Sequence, residues 1–375
     1  MHSTYPWKDA AERDYYAPHW NNTQRRNQIK YYYRESRNQR INDTNFQTYQ
    51  PRFACPSPST TTTATTTPTP RAITGDYLHH LFFIPQAKLI FCGIPKVGVS
   101  EWVKFFRHVM GAKDYLSLPH YKRDRTYFFV TSLEPSRAEQ IIHDPTWTKA
   151  VFIRNPLDRL LSAYMDKILG QSYTQKTFHI GNLSDPVETR PVLSFAEFVD
   201  KIANTSHSTN CTDPTGLRAC TDPHWKPQLM TCGLDYLLPK FDFVGNFDHL
   251  SKHTKLLLER TGAWDKYGAT FDDGRGIRQR HICMVPIPER PVNYTTVGFN
   301  QRGPSITGNK LHATGSKSLV DQYYTPELID KVRQAYALDF AVWDEISAKL
   351  DHDVASGRDL KVVQEYCASK SVTSS

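Results

Sequence analysis

The residues best suited to chemistry form one short loop between an apolar run and a segment of helical character: Pro95, Lys96, Val97, Gly98, Val99 and Ser100. Gly98 lets the backbone approach a ligand closely because it lacks a side chain. Lys96 would supply a positive charge, and the Ser100 hydroxyl can donate a hydrogen bond. Backbone N–H groups at a helix start also favour an anion. We therefore predict a phosphate-like ligand here, the alternative being an ordinary strand-to-helix turn with a surface lysine.

A second segment, residues 153–164, has the same character and changes the balance between these interpretations. Arg154 lies at the expected end of a strand, and its planar guanidinium suits a phosphate. Ser162 lies eight residues later, and Arg159 is three residues before it on the same helix face. An arginine at a strand end is often only solvated or ion-paired, but this alternative weakens because another anion-binding loop precedes it by one strand-and-helix unit. Neither segment fits a nucleotide triphosphatase loop, because GxxxxGK[ST] does not occur.

A parallel sheet would bring the two segments to one edge. Apolar runs predict buried strands at residues 88–92, 150–153 and 241–245. Helices are predicted after each strand and near the C-terminus: one capped by Ser100, with Trp102, Phe106 and Val109 on one face, then residues 157–169, 249–260 and 325–350. Strands alternating with helices indicate an α/β fold with a central parallel sheet flanked by helices.

The composition divides the chain into three parts. Residues 1–75 carry ten Lys/Arg and five Asp/Glu, so +5 of the net +8 lies there and only +3 in the other 300 residues. This region ends in a Thr/Pro run that cannot form a core and is typical of a stalk or linker. We expect a catalytic domain at 76–350 and a tail at 351–375. The weak charge of residues 76–375 argues against a broad nucleic-acid surface there.

The seven cysteines include no CxxC pair, so a zinc site has little support. Three of them lie between residues 211 and 232, and with Cys283 they could form disulfides in an oxidising compartment, while free thiols in the cytosol fit equally well. Asn-x-Ser/Thr sequons give weak support for a secretory lumen: Asn21, Asn42, Asn182, Asn204, Asn210 and Asn293. Neither a membrane helix nor a signal peptide is evident, so we expect a soluble chain, with the N-terminus not established as complete.

Together these motifs resemble the Golgi carbohydrate sulfotransferases of the chondroitin 4-sulfotransferase and HNK-1 sulfotransferase type. Their typical PKVGCSNW corresponds to residues 95–102 here, and their R-[DE]-P-x-x-R-x-x-S-x-Y corresponds to residues 154–164. The resemblance extends over about residues 80–345 and includes several further stretches: 223–228 with Cys232 beyond them, 241–248, 323–332 and 336–340. It implies a P-loop-like sulfotransferase fold.

The resemblance implies 3′-phosphoadenosine 5′-phosphosulfate (PAPS) as sulfuryl donor, a carbohydrate acceptor and no metal. Lys96 would stabilise charge on the leaving oxygen. The loop from Pro95 to Ser100 would hold the 5′-phosphosulfate, and Arg154 with Ser162 would hold the 3′-phosphate. Three departures stand out: Val99 replaces Cys, Asn155 replaces Asp/Glu, and Asp248 stands where Glu is common. The Asn155 change bears on PAPS affinity.

The general base is less clearly marked. His224, in the Pro223–Gln228 stretch, is the first choice, with His120 and His143 as further candidates. Trp225 could stack on a sugar ring or belong to the core. Finally, Lys317 or Thr314 could close over the nucleotide.

Two other functions remain open from the sequence. The basic N-terminal arm could bind nucleic acid or another polyanion, or the chain could transfer phosphoryl groups through an atypical loop. Localisation rests on the resemblance, which implies the Golgi lumen or membrane. Because no anchor is visible in this sequence, a soluble secreted or cytosolic protein is the alternative. The oligomeric state is not assigned.

Overall fold

The computed structural model describes residues 53–55, 80–112, 115, 129–169, 193–206, 222–269 and 316–372. Its centre is a four-stranded sheet in the order β1-β2-β3-β4: β1 Leu81–Ile84, β2 Leu89–Cys92, β3 Thr148–Ile153 and β4 Phe243–Asn246. Strands β2, β3 and β4 are parallel, which confirms the predicted parallel sheet. The additional strand, β1, is antiparallel because only the turn Pro85–Ala87 joins it to β2, too short for a parallel crossover.

Ten helices surround this sheet in the part of the chain that the structure describes. Their bounds are α1 Val99–Val109, α2 Pro135–His143, α3 Pro156–Ala163, α4 Phe195–Ser206, α5 Leu234–Leu237, α6 Leu250–Arg260, α7 Val320–Tyr323, α8 Pro326–Ala335, α9 Ala337–Ser347 and α10 Lys361–Val372. A π-helical turn, Tyr164–Leu169, continues α3.

The late helix predicted over 325–350 is two helices, because the backbone at Tyr336 leaves helical geometry with φ −119° and ψ 28°. The Tyr336 side chain is buried, and its hydroxyl donates to the Trp225 carbonyl. As predicted, Pro326 occupies the first turn of α8. A tertiary contact therefore divides a segment whose local pattern is continuous.

The predicted cap of α1 is wrong. Gly98, with φ +71°, is the N-cap, and Ser100 lies inside the first turn. A left-handed backbone suits glycine, which explains why the helix starts directly after it. The predicted apolar face is confirmed: Trp102, Phe106 and Val109 are all buried. Trp102 packs against Phe91 of β2 at a ring-centroid distance of 4.3 Å.

The fold extends beyond the bounds expected for the catalytic domain. Ala54 N–H donates to the Tyr236 carbonyl at 2.9 Å, so residues 53–55 contact the domain although they precede the Thr/Pro run. In the expected tail, Ala355 bridges Val244 of β4. Helix α10 also belongs to the fold, since Val363 is buried in the core.

Two disulfides connect distant parts of the chain, Cys55 with Cys367 and Cys92 with Cys232. Neither alternative that the sequence left open for Cys232, a disulfide with another cysteine of residues 211–283 or a free thiol, is found. Its partner lies at the end of β2, 140 residues earlier in sequence, and only the folded sheet makes them neighbours. Cys211, Cys220 and Cys283 lie outside the described residues.

Candidate active site

Both predicted anion-binding segments lie at the carboxyl edge of the parallel strands. The first segment begins in a loop, residues 93–98, which follows β2 and is called the donor loop after the ligand predicted for it, and continues into the first residues of α1, Val99 and Ser100. Arg154 follows β3. One guanidinium nitrogen of Arg154, Nη1, donates to the Lys96 carbonyl at 2.7 Å. The structure thus brings together the two segments that the sequence analysis paired.

Lys96 is held in an unusual environment. Its backbone has φ +68°, and its side chain is only 7% exposed. Its ammonium group donates to Asp166 in the π-helical turn at 3.0 Å. Burial lowers the pKa of Lys96 to about 8, with Asp166 opposing this change and Lys167 and Arg154 adding to it. A lysine in this state is a charged donor at neutral pH that sits close to its titration range.

Arg154 is fixed by several contacts besides Lys96. Its Nε donates to Asp158 at 2.8 Å. Its backbone N–H donates to the side chain of Gln228 at 3.0 Å, and the Gln228 amide donates back to the Arg154 carbonyl at 2.9 Å. This reciprocal pair joins the end of β3 to the segment that contains His224. Gln228 and its neighbour are fixed in turn by Asp339 of α9, which accepts from both backbone N–H groups.

Asn155, one of the departures from the family motif, is the N-cap of α3. Its side-chain oxygen accepts from the N–H groups of Leu157 at 2.9 Å and Asp158 at 3.4 Å. Asn and Asp cap helices about equally well. The substitution therefore preserves the start of α3 and leaves Arg154 in place.

Gly98 lies against an aromatic side chain that the sequence analysis did not assign to the site. A Cβ at Gly98 would come within 3.3 Å of the Phe247 ring, and the Arg154 guanidinium lies 4.9 Å from the same ring centroid. Phe247 directly follows β4, so three parallel strands contribute to this edge. Ser100 is half-buried in the first turn of α1, and Ser162 is buried in α3.

Arg159 has a role that its sequence position did not reveal. The side chain is 1% exposed and donates to three backbone carbonyls: Pro95 at 3.1 Å, Lys226 at 2.8 Å and Pro223 at 3.0 Å. The first belongs to the donor loop, and the other two flank His224 and Trp225. One buried guanidinium thus joins the donor loop to the segment that carries the candidate base.

His224 forms a His–Asp pair. Its Nδ1 lies 2.7 Å from Asp222 Oδ1. The same oxygen also accepts a hydrogen bond from the His224 backbone N–H at 2.9 Å. Because a carboxylate only accepts, Nδ1 carries the hydrogen and Nε2 is the accepting nitrogen. The His224 side chain is 23% exposed, whereas Trp225 is fully buried and belongs to the core. Stacking of Trp225 on a sugar is therefore excluded in this arrangement.

The other candidates differ in position. His143 ends α2 and precedes β3, so it lies toward the amino edge of the sheet, away from the donor loop. Lys317 donates to Asp248 at 2.6 Å, which places it beside the turn after β4. His120 and Thr314 lie outside the described residues.

The described ranges contain no group of three or more His, Cys, Asp or Glu side chains that could hold a metal ion. In the same ranges, no helix has the length and apolar character needed to cross a membrane.

The family comparison decides the assignment of the fold. A profile described as "Sulfotransferase family" matches residues 79–344, which include the donor loop, the Arg154 segment and His224. The chain belongs to the sulfotransferase family. No solved structure gives a significant match.

The sulfotransferase domain is similar to several curated carbohydrate sulfotransferases. It is 24% identical over 198 residues to carbohydrate sulfotransferase 14 of Danio rerio, covering 50% of this chain and 49% of the relative. It is 25% identical to carbohydrate sulfotransferase 8 of Mus musculus, covering 50% and 45%. For carbohydrate sulfotransferase 9 of Homo sapiens the identity is 26%, covering 47% and 39%. The matched region therefore spans about half, or less, of each relative's length.

Sequence reasoning missed three residues of this candidate site, Asp166, Asp222 and Phe247, and it named Arg159 without identifying its contacts. Asp222 offered a signal, since an Asp two residues before a candidate base can bond both its ring and its backbone. Asp166, Phe247 and the contacts of Arg159 are recognisable only from the packing of segments that are far apart in sequence.

Proposed function

We propose that this chain is a PAPS-dependent carbohydrate sulfotransferase. One observation carries the proposal: the Arg154 guanidinium contacts the Lys96 carbonyl at 2.7 Å, which joins the two phosphate-binding segments at one edge of the sheet. A ligand with phosphate groups at both ends needs such a pair of segments, close together and on a common rigid support.

The residues present fit this donor. Lys96, Lys167 and Arg154 place three positive charges within electrostatic reach of one another, opposed by Asp166 and Asp158. Gly98 opens the backbone at the start of α1, where N–H groups attract an anion. We assign the 5′-phosphosulfate to the Pro95–Ser100 loop and the 3′-phosphate to Arg154 and Ser162. When bound, PAPS supplies the activated sulfuryl group.

We assign the base to His224. Its Nε2 takes the proton of the acceptor hydroxyl, while the hydroxyl oxygen forms its bond to sulfur. The bond between sulfur and the bridging oxygen breaks, and that oxygen stays on the 5′-phosphate of the departing adenosine bisphosphate. Lys96 stabilises the negative charge that develops on the bridging oxygen. Asp222 keeps the His224 ring in the required tautomer and orientation.

The acceptor is assigned to the carbohydrate class. The matched relatives are named as carbohydrate sulfotransferases, which supports this class without naming a sugar. The two disulfides support an oxidising compartment, and we propose the Golgi lumen as the location.

The test combines donor binding with transfer. The full chain, expressed with its disulfides formed, is assayed for transfer of ³⁵S-sulfate from PAPS to a panel of glycans, and adenosine 3′,5′-bisphosphate binding is measured by calorimetry. Lys96→Ala and Arg154→Ala should each weaken binding at least about tenfold, because each removes a charged contact to phosphate. Lys331→Ala, which removes an exposed lysine paired with Asp200, is the matched control and should bind normally.

If Lys96→Ala and Arg154→Ala both keep normal donor binding and normal sulfate transfer, the assignment is wrong. A polyanion function predicts a different pattern, namely salt-dependent RNA binding that survives both substitutions but is lost with residues 1–50. The deletion stops at residue 50 because residues 53–55 pack against the domain.

A further inference from the structure

We propose that Asp166 is a positioning residue that holds the Lys96 side chain in place and in its charged form. The inference rests on the proposed function, since it concerns the lysine assigned to the leaving oxygen. No motif that assigns Lys96, Arg154 or Ser162 includes Asp166.

The contact joins two elements that the fold places side by side. Lys96 belongs to the loop after β2, whereas Asp166 lies in the π-helical turn after α3, 70 residues later. Their side chains are 7% and 4% exposed, so little water competes for the contact. Two buried charges of opposite sign at 3.0 Å restrict each other far more than an exposed pair would.

The left-handed backbone of Lys96 makes this restraint consequential. With φ +68°, a non-glycine residue pays a conformational cost that its surroundings must offset. Two contacts restrain the residue: Arg154 holds the Lys96 carbonyl, and Asp166 holds the ammonium group. The lysine is therefore fixed at both its backbone and its tip before any donor arrives.

The charges around Lys96 give Asp166 a second role. Burial, with smaller contributions from Lys167 and Arg154, lowers the pKa of Lys96 to about 8. Asp166 opposes these effects, because its negative charge and its hydrogen bond raise the pKa of Lys96. Removal of this carboxylate should leave Lys96 partly neutral near pH 7.5, and a neutral amine stabilises a leaving oxygen poorly.

The first experiment measures the charge of Lys96 without any turnover. The full chain is labelled with trace acetic anhydride from pH 6 to pH 10, and mass spectrometry quantifies acetylation at Lys96. In the wild type, labelling should rise with a midpoint near pH 8. In Asp166→Asn, which keeps the shape of the side chain, the midpoint should fall by about one unit, and Asp166→Glu should restore most of it.

The second experiment measures the pH profile of kcat/KM for PAPS, which reports groups in the free enzyme. The alkaline limb should follow Lys96 and move to lower pH in Asp166→Asn by the same amount as the labelling midpoint. Asp200→Asn removes an exposed carboxylate from its contact with Lys331 and should change neither measurement.

The two proposals fail in different ways. An unchanged labelling midpoint in Asp166→Asn overturns the role of Asp166, even if the wild type transfers sulfate. Absence of transfer by the wild type overturns the proposed function, while the labelling midpoint still decides whether Asp166 controls Lys96. A folding defect is recognised by circular dichroism and is resolved by the Asp166→Glu variant, whose midpoint must then remain near that of the wild type.

Discussion

At the residue scale, the site depends on a few side chains that fix backbone rather than contact ligand. Arg159 donates to carbonyls on two separate segments, and Gln228 exchanges hydrogen bonds with the backbone of Arg154. Such contacts set the geometry of the loops that carry Lys96 and His224. Their removal should therefore affect both stability and turnover.

Arg159→Ala should lower the free energy of unfolding by about 3 kcal/mol, because it leaves three carbonyls without their donor in a buried region. We expect kcat to fall in parallel, since the donor loop and the His224 segment lose their common contact. Urea denaturation and sulfate-transfer kinetics measure the two effects. Lys331→Ala, at an exposed lysine on α8, is the control. Wild-type stability in Arg159→Ala would contradict the role given to this residue.

His224→Gln should reduce kcat by about 100-fold or more, the usual effect of losing a general base. Asp222→Asn should cause a smaller reduction, because the ring remains but its tautomer is no longer fixed. Calorimetry with adenosine 3′,5′-bisphosphate should show unchanged affinity in both variants, since neither side chain is assigned to the donor. Weakened donor binding together with normal kcat would assign His224 to the nucleotide instead.

At the element scale, the parallel strands and the C-terminal segment hold the site together. The ends of β2, β3 and β4 supply the donor loop, Arg154 and Phe247. Beyond α9, the backbone of Ala355 pairs with β4, and Gly357 N–H donates to the Phe241 carbonyl at 2.7 Å. The segment after residue 350 therefore protects the outer edge of the sheet.

Gly357→Ala should destabilise the protein by about 3 kcal/mol. A Cβ there would lie 1.8 Å from the Leu238 carbonyl oxygen, and backbone would have to move to accommodate it. Gly262→Ala is the comparison: its φ of +65° disfavours alanine by about 1 kcal/mol, but no atom lies within 4 Å of the added carbon. Thermal unfolding of both variants measures the two losses of stability, and the loss in Gly357→Ala should be the larger. Equal losses of stability in the two variants would show that the backbone at Gly357 does not pack against Leu238 as described.

His253 should make stability depend on acidity. The ring is buried between β4 and the 351 segment: Nδ1 accepts from Asn246 N–H, and Nε2 lies 3.1 Å from the Asp351 carbonyl. Burial lowers its pKa to about 4, with His249 and Lys252 contributing. Between pH 6.5 and pH 4, His253 is protonated in the unfolded chain but stays neutral in the folded chain. The free energy of unfolding therefore falls as the pH falls towards 4.

This dependence is measured as the free energy of unfolding at pH 7 and pH 5. The wild type should lose about 2 kcal/mol through His253 over that interval. His253→Gln, which can accept and donate at similar positions without titrating, should show a smaller loss. An identical loss in both proteins would place the acid sensitivity elsewhere.

At the scale of the whole molecule, the sequence predicted what depends on local pattern. Apolar runs located β2, β3 and β4, and the spacing of Trp102 and Phe106 located the buried face of α1. The Lys96 and Arg154 motifs predicted which segments would meet, because parallel strands end at the same edge. Local pattern is sufficient for these features, since each arises from residues close together in the chain.

The sequence did not predict features that depend on contacts between residues far apart in the chain. Cys92 and Cys232 are 140 residues apart, and nothing in either neighbourhood marks them as partners. The same holds for Ala355 with Val244 and for Asp166 with Lys96. The break at Tyr336 also depends on tertiary structure, because its hydroxyl binds a carbonyl 111 residues away. Such pairings are selected by the packed fold and not by local propensity.

The bond between Cys55 and Cys367 changes how the Thr/Pro run can act. Residues 53–55 are fastened to α10 and α5, and the domain resumes at His80, so the intervening 24 residues begin and end on the same body. A spacer anchored at both ends cannot set the distance between the domain and anything joined upstream of Phe53. Lengthening that run would enlarge a closed loop, and the distance from the domain to anything joined before Phe53 would depend only on the chain upstream of that residue.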